Sequence, residues 1–271
     1  MPDRRRLPPS VLTIAGSDSG GGAGIQADLK TFAAHGIHGL SVLTAVTAQN
    51  TRAVSAVHPV PVRVVHAQVE AVFDDFDIRA LKIGMLGTPR LVMAVASALV
   101  RHPDPPVVLD PVMVASSGAT LLRPQAIGAM RRLLVPRATL LTPNLPEAEL
   151  LLGRRIAGHD ALQAAAADLL ALGCQAVLLK GGHAPGSVVR DLFLDREGNR
   201  LEIRHRRLRV DGHGTGCTLS AAVAARLAQG APLPRAVAEA ADYVHGALRE
   251  ATRPGRGKVS VLAHGWRQPR P

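Results

Sequence analysis

One stretch of the sequence, residues 211–220, places three glycines and a cysteine where an apolar helix pattern begins. Gly212, Gly214 and Gly216 alternate with other residues, and such a turn lets backbone N–H groups converge on one point. The start of a helix adds partial positive charge there. The stretch therefore predicts an anion site, suited to a phosphate or to the charge that develops during phosphoryl transfer. The alternative is a simple helix cap in which Cys217 is a small buried apolar residue.

A second glycine-rich stretch, residues 16–24, follows the first apolar run and holds five glycines in nine residues. The dinucleotide-binding pattern fails because Ile25 stands where its last glycine should be. The Walker A pattern fails because Gly22 stands where its lysine should be. A flexible turn needs fewer glycines, so we expect a ligand cradle of another type, lined by backbone.

Polar side chains end several other apolar runs. Gln49 offers a donor and an acceptor side by side, which suits the edge of a heterocycle, although a solvated strand end is an alternative. Asn144 and Glu147 lie three residues apart at a helix start, so both can face one site, but this is also the spacing of a capping box. Lys180 ends a further apolar run, and the two glycines after it leave room for a large ligand.

The elements that must position these residues alternate between short apolar strands and helices. Such a pattern predicts a mostly parallel central sheet with helices on both faces, an α/β fold in three layers. Ligands of these folds bind beyond the carboxyl ends of the strands, which is where the polar residues fall. We expect one domain over residues 11–252, a disordered extension over 1–10 and an irregular tail over 253–271.

Composition excludes several classes of function. No window approaches 18 uninterrupted apolar residues, so we expect no membrane span. The two cysteines form neither a metal-ligand pattern nor a disulfide framework, which favours a cytoplasmic protein. The net charge is +11, but lysine supplies only four of the 32 basic residues and aromatic residues make up 2% of the chain. We therefore expect acidic small-molecule ligands rather than nucleic acid.

Together these motifs resemble one enzyme family, the hydroxymethylpyrimidine/phosphomethylpyrimidine kinases of thiamine biosynthesis, which belong to the ribokinase-like superfamily. The resemblance covers about residues 11 to 250, and the segments that carry it are residues 15–18, 21–30, 48–51, 82–86, 142–148, 180–183 and 213–222. It implies ATP- and Mg²⁺-dependent phosphorylation of 4-amino-5-hydroxymethyl-2-methylpyrimidine, and then of its monophosphate to the diphosphate. It also implies a ribokinase-like α/β/α sandwich and a homodimer.

The resemblance also implies roles for individual residues. Cys217 matches the catalytic base, where most of the superfamily carries an aspartate, and a helix start should lower its pKa toward neutrality. The anion hole corresponds to Gly214, Thr215, Gly216 and Cys217. Gln49 matches the glutamine that holds the aminopyrimidine, and the surrounding pocket corresponds to Gly16, Asp28, Met85 and Val112. Asn144 and Glu147 match the motif that orders Mg²⁺ and phosphate through water, and Lys180 matches a lysine near the ATP phosphates.

Two segments of the chain depart from the pattern of this family. Asp211 and Gly212 stand where a polar pair such as Asn-Thr is expected, and residues 253–258 replace a glycine-rich stretch ending in Gly-Pro-Val-x-His.

Two other functions are alternatives to the pyrimidine kinase. A pyridoxal or pyridoxine kinase would share the fold. A non-catalytic pyrimidine-binding module is the alternative from another class, but it would not need Asn144, Glu147, Lys180 and Cys217 together.

Overall fold

The structure, a computed structural model, describes residues 8–113, 122–157 and 159–268. Residues 1–7, which make up most of the expected N-terminal extension, and residues 269–271 of the tail lie outside the described residues. The strands are β1 (Ser10–Asp18), β2 (His38–Gln49), β3 (Val54–Pro59), β4 (Ile78–Ile83), β5 (Val107–Leu109), β6 (Leu140–Leu141), β7 (Ala176–Leu179), β8 (Val188–Asp195), β9 (Arg200–Arg206), β10 (Gly212–His213) and β11 (Ser260–Val261).

The helices alternate with these strands through most of the chain. They are α1 (Gly24–Ala34), α2 (Val62–Asp75), α3 (Pro89–Arg101), α4 (Pro124–Leu133), α5 (Leu145–Leu152), α6 (His159–Leu170), α7 (Thr215–Ala228) and α8 (Leu233–Arg249), with a 3₁₀ turn at Val135–Arg137. Proline at the first turn of α3, α4, α5 and α8 preorganises the start of each helix without costing a hydrogen bond.

Nine strands form one sheet in the order β3-β2-β1-β4-β5-β6-β7-β8-β9. The strands from β2 to β7 in this order pair in parallel, whereas β3, β8 and β9 are antiparallel to their neighbours. The predicted mostly parallel sheet is therefore confirmed. Strand order reverses beside β1, and this switch point opens a crevice at the carboxyl ends of the strands.

Side chains alternate along the central strands and build two apolar cores. On β1, Leu12 and Ile14 pack with α2 to α6, and Val11 packs with α1, α7 and α8 on the opposite face. Each fully buried Leu, Ile or Val side chain contributes about 1.5–3 kcal/mol. Two cores on one sheet confirm the three-layer architecture.

The C-terminal tail differs from the expected irregular segment, because β11 pairs in parallel with β10. Aromatic packing fixes the segment that follows: Trp266 Nε1 donates to the Tyr243 carbonyl oxygen, and Tyr243 Oη donates to the His264 carbonyl oxygen. A side chain at Gly246 would lie 2.1 Å from the Trp266 ring. The tail is thus anchored on α8 and holds the strand that leads into α7.

No helix of the described chain combines the length and the apolar character needed to cross a bilayer.

Candidate active site

A cavity of about 410 Å³ opens at the carboxyl ends of β1, β2 and β4 to β7, beside the start of α7. Sequence-predicted site residues line it from every side. They are Gly16, Gln49, Met85, Val112, Asn144, Glu147, Lys180, Gly214, Thr215, Gly216 and Cys217. Residues far apart in sequence therefore converge on one space, as expected for parallel strands that end at the same edge of a sheet.

Asp28 is the exception among the predicted residues, because it does not line the cavity. It is fully buried on α1, where its Oδ2 accepts hydrogen bonds from Lys82 Nζ at 2.9 Å and Thr13 Oγ1 at 2.6 Å. No partner contacts its Oδ1 among the described residues. Lys82 separates Asp28 from the cavity and forms part of the cavity floor. We call Thr13, Asp28 and Lys82 the sealed cluster.

Charge in the sealed cluster follows from its geometry. Burial opposes charge on both partners and raises the pKa of Asp28. For Lys82, burial lowers the pKa, but the Asp28 carboxylate, with smaller contributions from Cys217 and Asp110, outweighs burial and raises the lysine pKa. With an Nζ–Oδ2 distance of 2.9 Å and a second donor from Thr13, we assign the charged ion pair.

Two carboxylates and one lysine form a second group, the open cluster of Asp110, Glu147 and Lys180. Lys180 Nζ lies 3.0 Å from Asp110 Oδ1 and 3.9 Å from Glu147 Oε2. Burial raises the pKa of Glu147 to about 7; Lys180 opposes this shift, and Asp110 adds to it. The open cluster therefore has more acidic groups than basic ones.

The open cluster is held in place by the start of α5. Asn144 Oδ1 accepts from the Glu147 N–H at 2.9 Å, and Glu147 Oε2 accepts from the Asn144 N–H at 2.8 Å. This is the capping box that the sequence left open as an alternative. Both residues also line the cavity, so capping and a ligand role are compatible.

The chemistry of the open cluster fits Mg²⁺ bound together with nucleotide phosphates. Mg²⁺ takes oxygen ligands and is usually held by one or two carboxylates, phosphate and water. Asp110 and Glu147 supply two carboxylates, and Lys180 supplies a cation for phosphate oxygens. Within the described ranges, no three His, Cys, Asp or Glu side chains are grouped so that they could hold a metal ion by themselves.

The two glycine-rich loops touch each other beside the cavity. Gly214 is the N-cap of α7 with φ of +80°, and a Cβ atom there would lie 1.9 Å from the Gly22 carbonyl oxygen. Gly216 brings the first turn of α7 close to the open cluster, since a Cβ atom there would lie 3.0 Å from Lys180 Nζ. Only glycine permits the approach at Gly214, whereas a side chain at Gly216 would require the Lys180 ammonium to shift.

Cys217 lies in the first turn of α7 and faces the cavity. Burial raises the pKa of its thiol to about 11; the Lys82 ammonium and the Gly24 N–H oppose this shift, whereas Asp110 and Asp28 add to it. The expected lowering of this pKa by the helix start is therefore wrong for the protein without ligands. Desolvation and two nearby carboxylates outweigh the Lys82 ammonium and the Gly24 N–H.

A third polar group, which the sequence did not predict as part of the site, links three segments of the chain. Asp18 Oδ2 accepts from the Gly22 N–H at 3.0 Å and the Ala23 N–H at 2.8 Å, and lies 3.0 Å from His213 Nε2. The same His213 nitrogen lies 3.0 Å from Gln49 Nε2. Asp18 thus orders the first glycine loop and ties it to the strand that enters α7.

The loop after β7 is shaped by one arginine. The Arg207 guanidinium donates to the carbonyl oxygens of Gly182, Ala184 and Gly186, with the first and last bonds both at 2.7 Å. Gly182 and His183 of this loop line the cavity next to Lys180. The carbonyl groups of the loop therefore turn toward Arg207, which holds this wall of the cavity in one shape.

Comparison with known proteins identifies the family to which this chain is similar. The sequence model of the phosphomethylpyrimidine kinase family matches residues 18–262. A hydroxymethylpyrimidine/phosphomethylpyrimidine kinase of Rhizobium meliloti is 50% identical over 95% of this chain and 98% of its own length. The solved phosphomethylpyrimidine kinase of Clostridium difficile has a TM-score of 0.78 at 40% identity, covering 88% of this chain and 98% of that one.

A pyridoxal kinase of Bacillus subtilis, solved as an ADP complex, has a TM-score of 0.87 at 35% identity, covering 95% of this chain and 97% of that one. The ribokinase-like fold and the family resemblance expected from the motifs are both confirmed. This chain belongs to the phosphomethylpyrimidine kinase family.

Proposed function

We propose that this protein transfers the γ-phosphoryl group of ATP to the hydroxymethyl group of 4-amino-5-hydroxymethyl-2-methylpyrimidine, and in a second step to the resulting monophosphate. The observation that carries the proposal is one cavity that holds a heterocycle-binding amide, Gln49, a thiol at a helix start, Cys217, and the open cluster. Phosphoryl transfer needs positioning and charge neutralisation, and these three groups supply both.

In this scheme the substrate ring lies against Gly16, Met85 and Val112, with its edge on Gln49. The N–H groups of residues 214–217 face the transferred phosphoryl group and stabilise the charge on its oxygens. Lys180 contacts the phosphates of the nucleotide, and Arg207 keeps the adjoining loop in place.

Cys217 accepts the hydroxyl proton of the substrate in this proposal. Mg²⁺ bound with ATP would neutralise the charge of Asp110 and Glu147 and polarise the phosphoryl oxygens. Because the Asp110 carboxylate is among the groups that raise the pKa of Cys217, neutralising its charge would favour the ionised form of the thiol. More of the thiol would then be present as the thiolate that accepts the proton, and Cys217 needs no covalent bond to the phosphoryl group during direct transfer.

Pyridoxal phosphorylation is a second candidate, favoured by the likeness of the whole fold to a pyridoxal kinase. Both substrates are heterocycles that carry a hydroxymethyl group, so the same thiol and anion hole would serve either. The side chains that face the ring decide which of the two substrates is preferred, and Gln49 together with Met85 favours the pyrimidine. A module that only binds pyrimidine would have no use for the open cluster.

The test is ADP release with the hydroxymethylpyrimidine, its monophosphate and pyridoxal supplied separately, each with ATP and Mg²⁺. We expect turnover with the first two and a much lower kcat/KM with pyridoxal. Activity with pyridoxal alone would reassign the protein to the second candidate, and no ADP release with any of the three would overturn the kinase assignment.

We also propose that the protein is a cytoplasmic homodimer. Both cysteines are free thiols, as expected where ATP is used and thiols stay reduced. The edge strand β3 is exposed, and Val46 and Val57 on β2 and β3 have exposed fractions of 49% and 42%. Because Val57 pairs with Thr47, it lies on the opposite face of the sheet from Val46. A second copy covering β3 would remove Val57 from water. Light scattering of wild type and of Val57→Glu measures the oligomeric state directly, and a monomeric wild type would contradict the proposed homodimer.

A further inference from the structure

The carboxamide of Gln49 touches two neighbours whose hydrogen-bonding capacity can be counted. Its Nε2 lies 3.0 Å from His213 Nε2, and its Oε1 lies 3.2 Å from Thr47 Oγ1. A carboxamide can turn by 180° about its last bond, which exchanges oxygen and nitrogen while the rest of the side chain stays in place. The neighbours therefore decide which of the two orientations is stable.

Thr47 can only accept a hydrogen bond from Gln49. Its hydroxyl has one proton, and that proton is donated to the Ser17 carbonyl oxygen at 2.8 Å. The Ser17 carbonyl oxygen has no proton to return, so the direction of this bond is settled. The Gln49 atom that faces Thr47 must therefore be the nitrogen.

His213 can only donate a hydrogen bond to Gln49. Its Nε2 lies 3.0 Å from Asp18 Oδ2, an acceptor that also receives the N–H groups of Gly22 and Ala23. A carboxylate oxygen has no proton to give, so Nε2 must carry the proton of this contact. The Gln49 atom that faces His213 must therefore be the oxygen, which shares the Nε2 proton with Asp18.

Both neighbours independently require the same orientation. We infer that His213, oriented by Asp18, is a positioning residue that holds the Gln49 oxygen and thereby fixes which atom of the carboxamide meets the substrate; this inference rests on the proposed function. One Gln49 N–H then bonds to Thr47, and the other remains to donate into the cavity. The substrate ring must present an acceptor at that point.

This arrangement selects between the two candidate substrates. A ring nitrogen of the aminopyrimidine carries a lone pair that accepts the Gln49 N–H, whereas pyridoxal at neutral pH carries a proton on its ring nitrogen. A Gln49 amide that is free to turn would accept either edge. When pyridoxal binds to a fixed amide, the Gln49 N–H faces the N–H of the pyridoxal ring, so two donors meet without an acceptor. Such mismatches lower kcat/KM strongly.

The test is a double-mutant cycle on selectivity, defined as kcat/KM for the hydroxymethylpyrimidine divided by kcat/KM for pyridoxal. His213→Phe keeps a ring of similar size but removes the donor, and Gln49→Ala removes the amide. We expect each change to lower selectivity by about tenfold, mostly through KM for the pyrimidine, and the double variant to match Gln49→Ala alone. A hundredfold loss in the double variant, or unchanged selectivity in His213→Phe, would overturn the inference.

A second variant tests the same orientation from the other neighbour. Thr47→Val keeps the shape and removes the acceptor, so we expect a smaller loss of selectivity that is also absent on a Gln49→Ala background. Calorimetric titration of each variant with the pyrimidine, without ATP, separates lost binding from a damaged anion hole beside Gly214. If the wild type phosphorylates neither substrate, the proposed function fails; if it is active but the losses are additive, only the role of His213 fails.

Discussion

The sealed and open clusters differ, although each pairs a lysine with an aspartate at the same edge of the sheet. The Lys82 side chain is fully buried and meets one carboxylate, whereas the Lys180 side chain is 13% exposed and meets two. The sealed cluster balances its charge within the protein. The open cluster keeps an excess of acidic groups beside solvent, so it needs a cation from outside. The difference separates a group that supports the fold from one that is available for chemistry.

The largest expected effect follows from breaking the sealed cluster. Lys82→Met leaves Asp28 buried without its cation, and removal of one partner of a buried pair costs about 3–5 kcal/mol. Urea denaturation should show this loss, with most of it recovered in Lys82→Met/Asp28→Leu. The exposed Lys258→Met is the matched control and should change stability by less than about 0.5 kcal/mol. A stable Lys82→Met would show that the cluster is not an ion pair.

The second-largest expected effect concerns the thiol of Cys217, which lies between the two clusters. Cys217→Ala should lower kcat by about 10³-fold, or ~4 kcal/mol of transition-state stabilisation, while pyrimidine binding persists. ADP release measures the loss, and calorimetry measures the binding. Cys174, the other cysteine, is buried in the core, so Cys174→Ala should reduce stability and leave turnover intact. Near-normal turnover by Cys217→Ala would remove the thiol from the reaction.

Neutralising one carboxylate of the open cluster should give the opposite result to the sealed cluster. Glu147→Gln keeps the shape but loses a charge, so we expect kcat/KM to fall by about 10²-fold and the Mg²⁺ requirement to rise. Stability should not fall, because a costly buried charge disappears. Glu149→Gln on the same helix is the control. A loss of several kcal/mol of stability in Glu147→Gln would show that the open cluster supports the fold as the sealed cluster does.

The smallest effect is a slope of stability with pH. Burial raises the pKa of Glu147 in the folded protein from 4.5 to about 7. Between these values the folded state binds a proton that the unfolded state has released, so the free energy of unfolding falls as pH rises and then levels off. Urea midpoints across this range should show a flatter profile in Glu147→Gln than in wild type. Equal slopes in wild type and Glu147→Gln would show that another group causes the pH dependence of stability.

Local signals predicted most of the fold and the walls of the site. The strand ends at Gln49 and Lys180 and the three-residue spacing of Asn144 and Glu147 were visible in sequence, because each depends on neighbouring residues. The mostly parallel sheet and the three layers followed from alternating elements. These features require no knowledge of distant contacts.

What the sequence did not reveal depends on long-range pairing and on burial. His213 meets Asp18 across 195 positions, and Lys82 meets Asp28 across 54; no spacing rule connects them. Asp110 could have been suspected, since a carboxylate directly after a buried strand points to a site. The pKa of Cys217 was predicted in the wrong direction because a helix start can be read from sequence, whereas desolvation cannot.

The pairing of β10 with β11 has a consequence for synthesis on the ribosome. His213 acquires its strand partner only when Val261 is available, so a nascent chain that has exposed the whole nine-stranded sheet still lacks this support for the entrance to α7. The core packed against α2 to α6 can thus be buried before the last wall of the cavity is held. Burial of this core precedes catalytic competence by the time needed to synthesise α7, α8 and the tail.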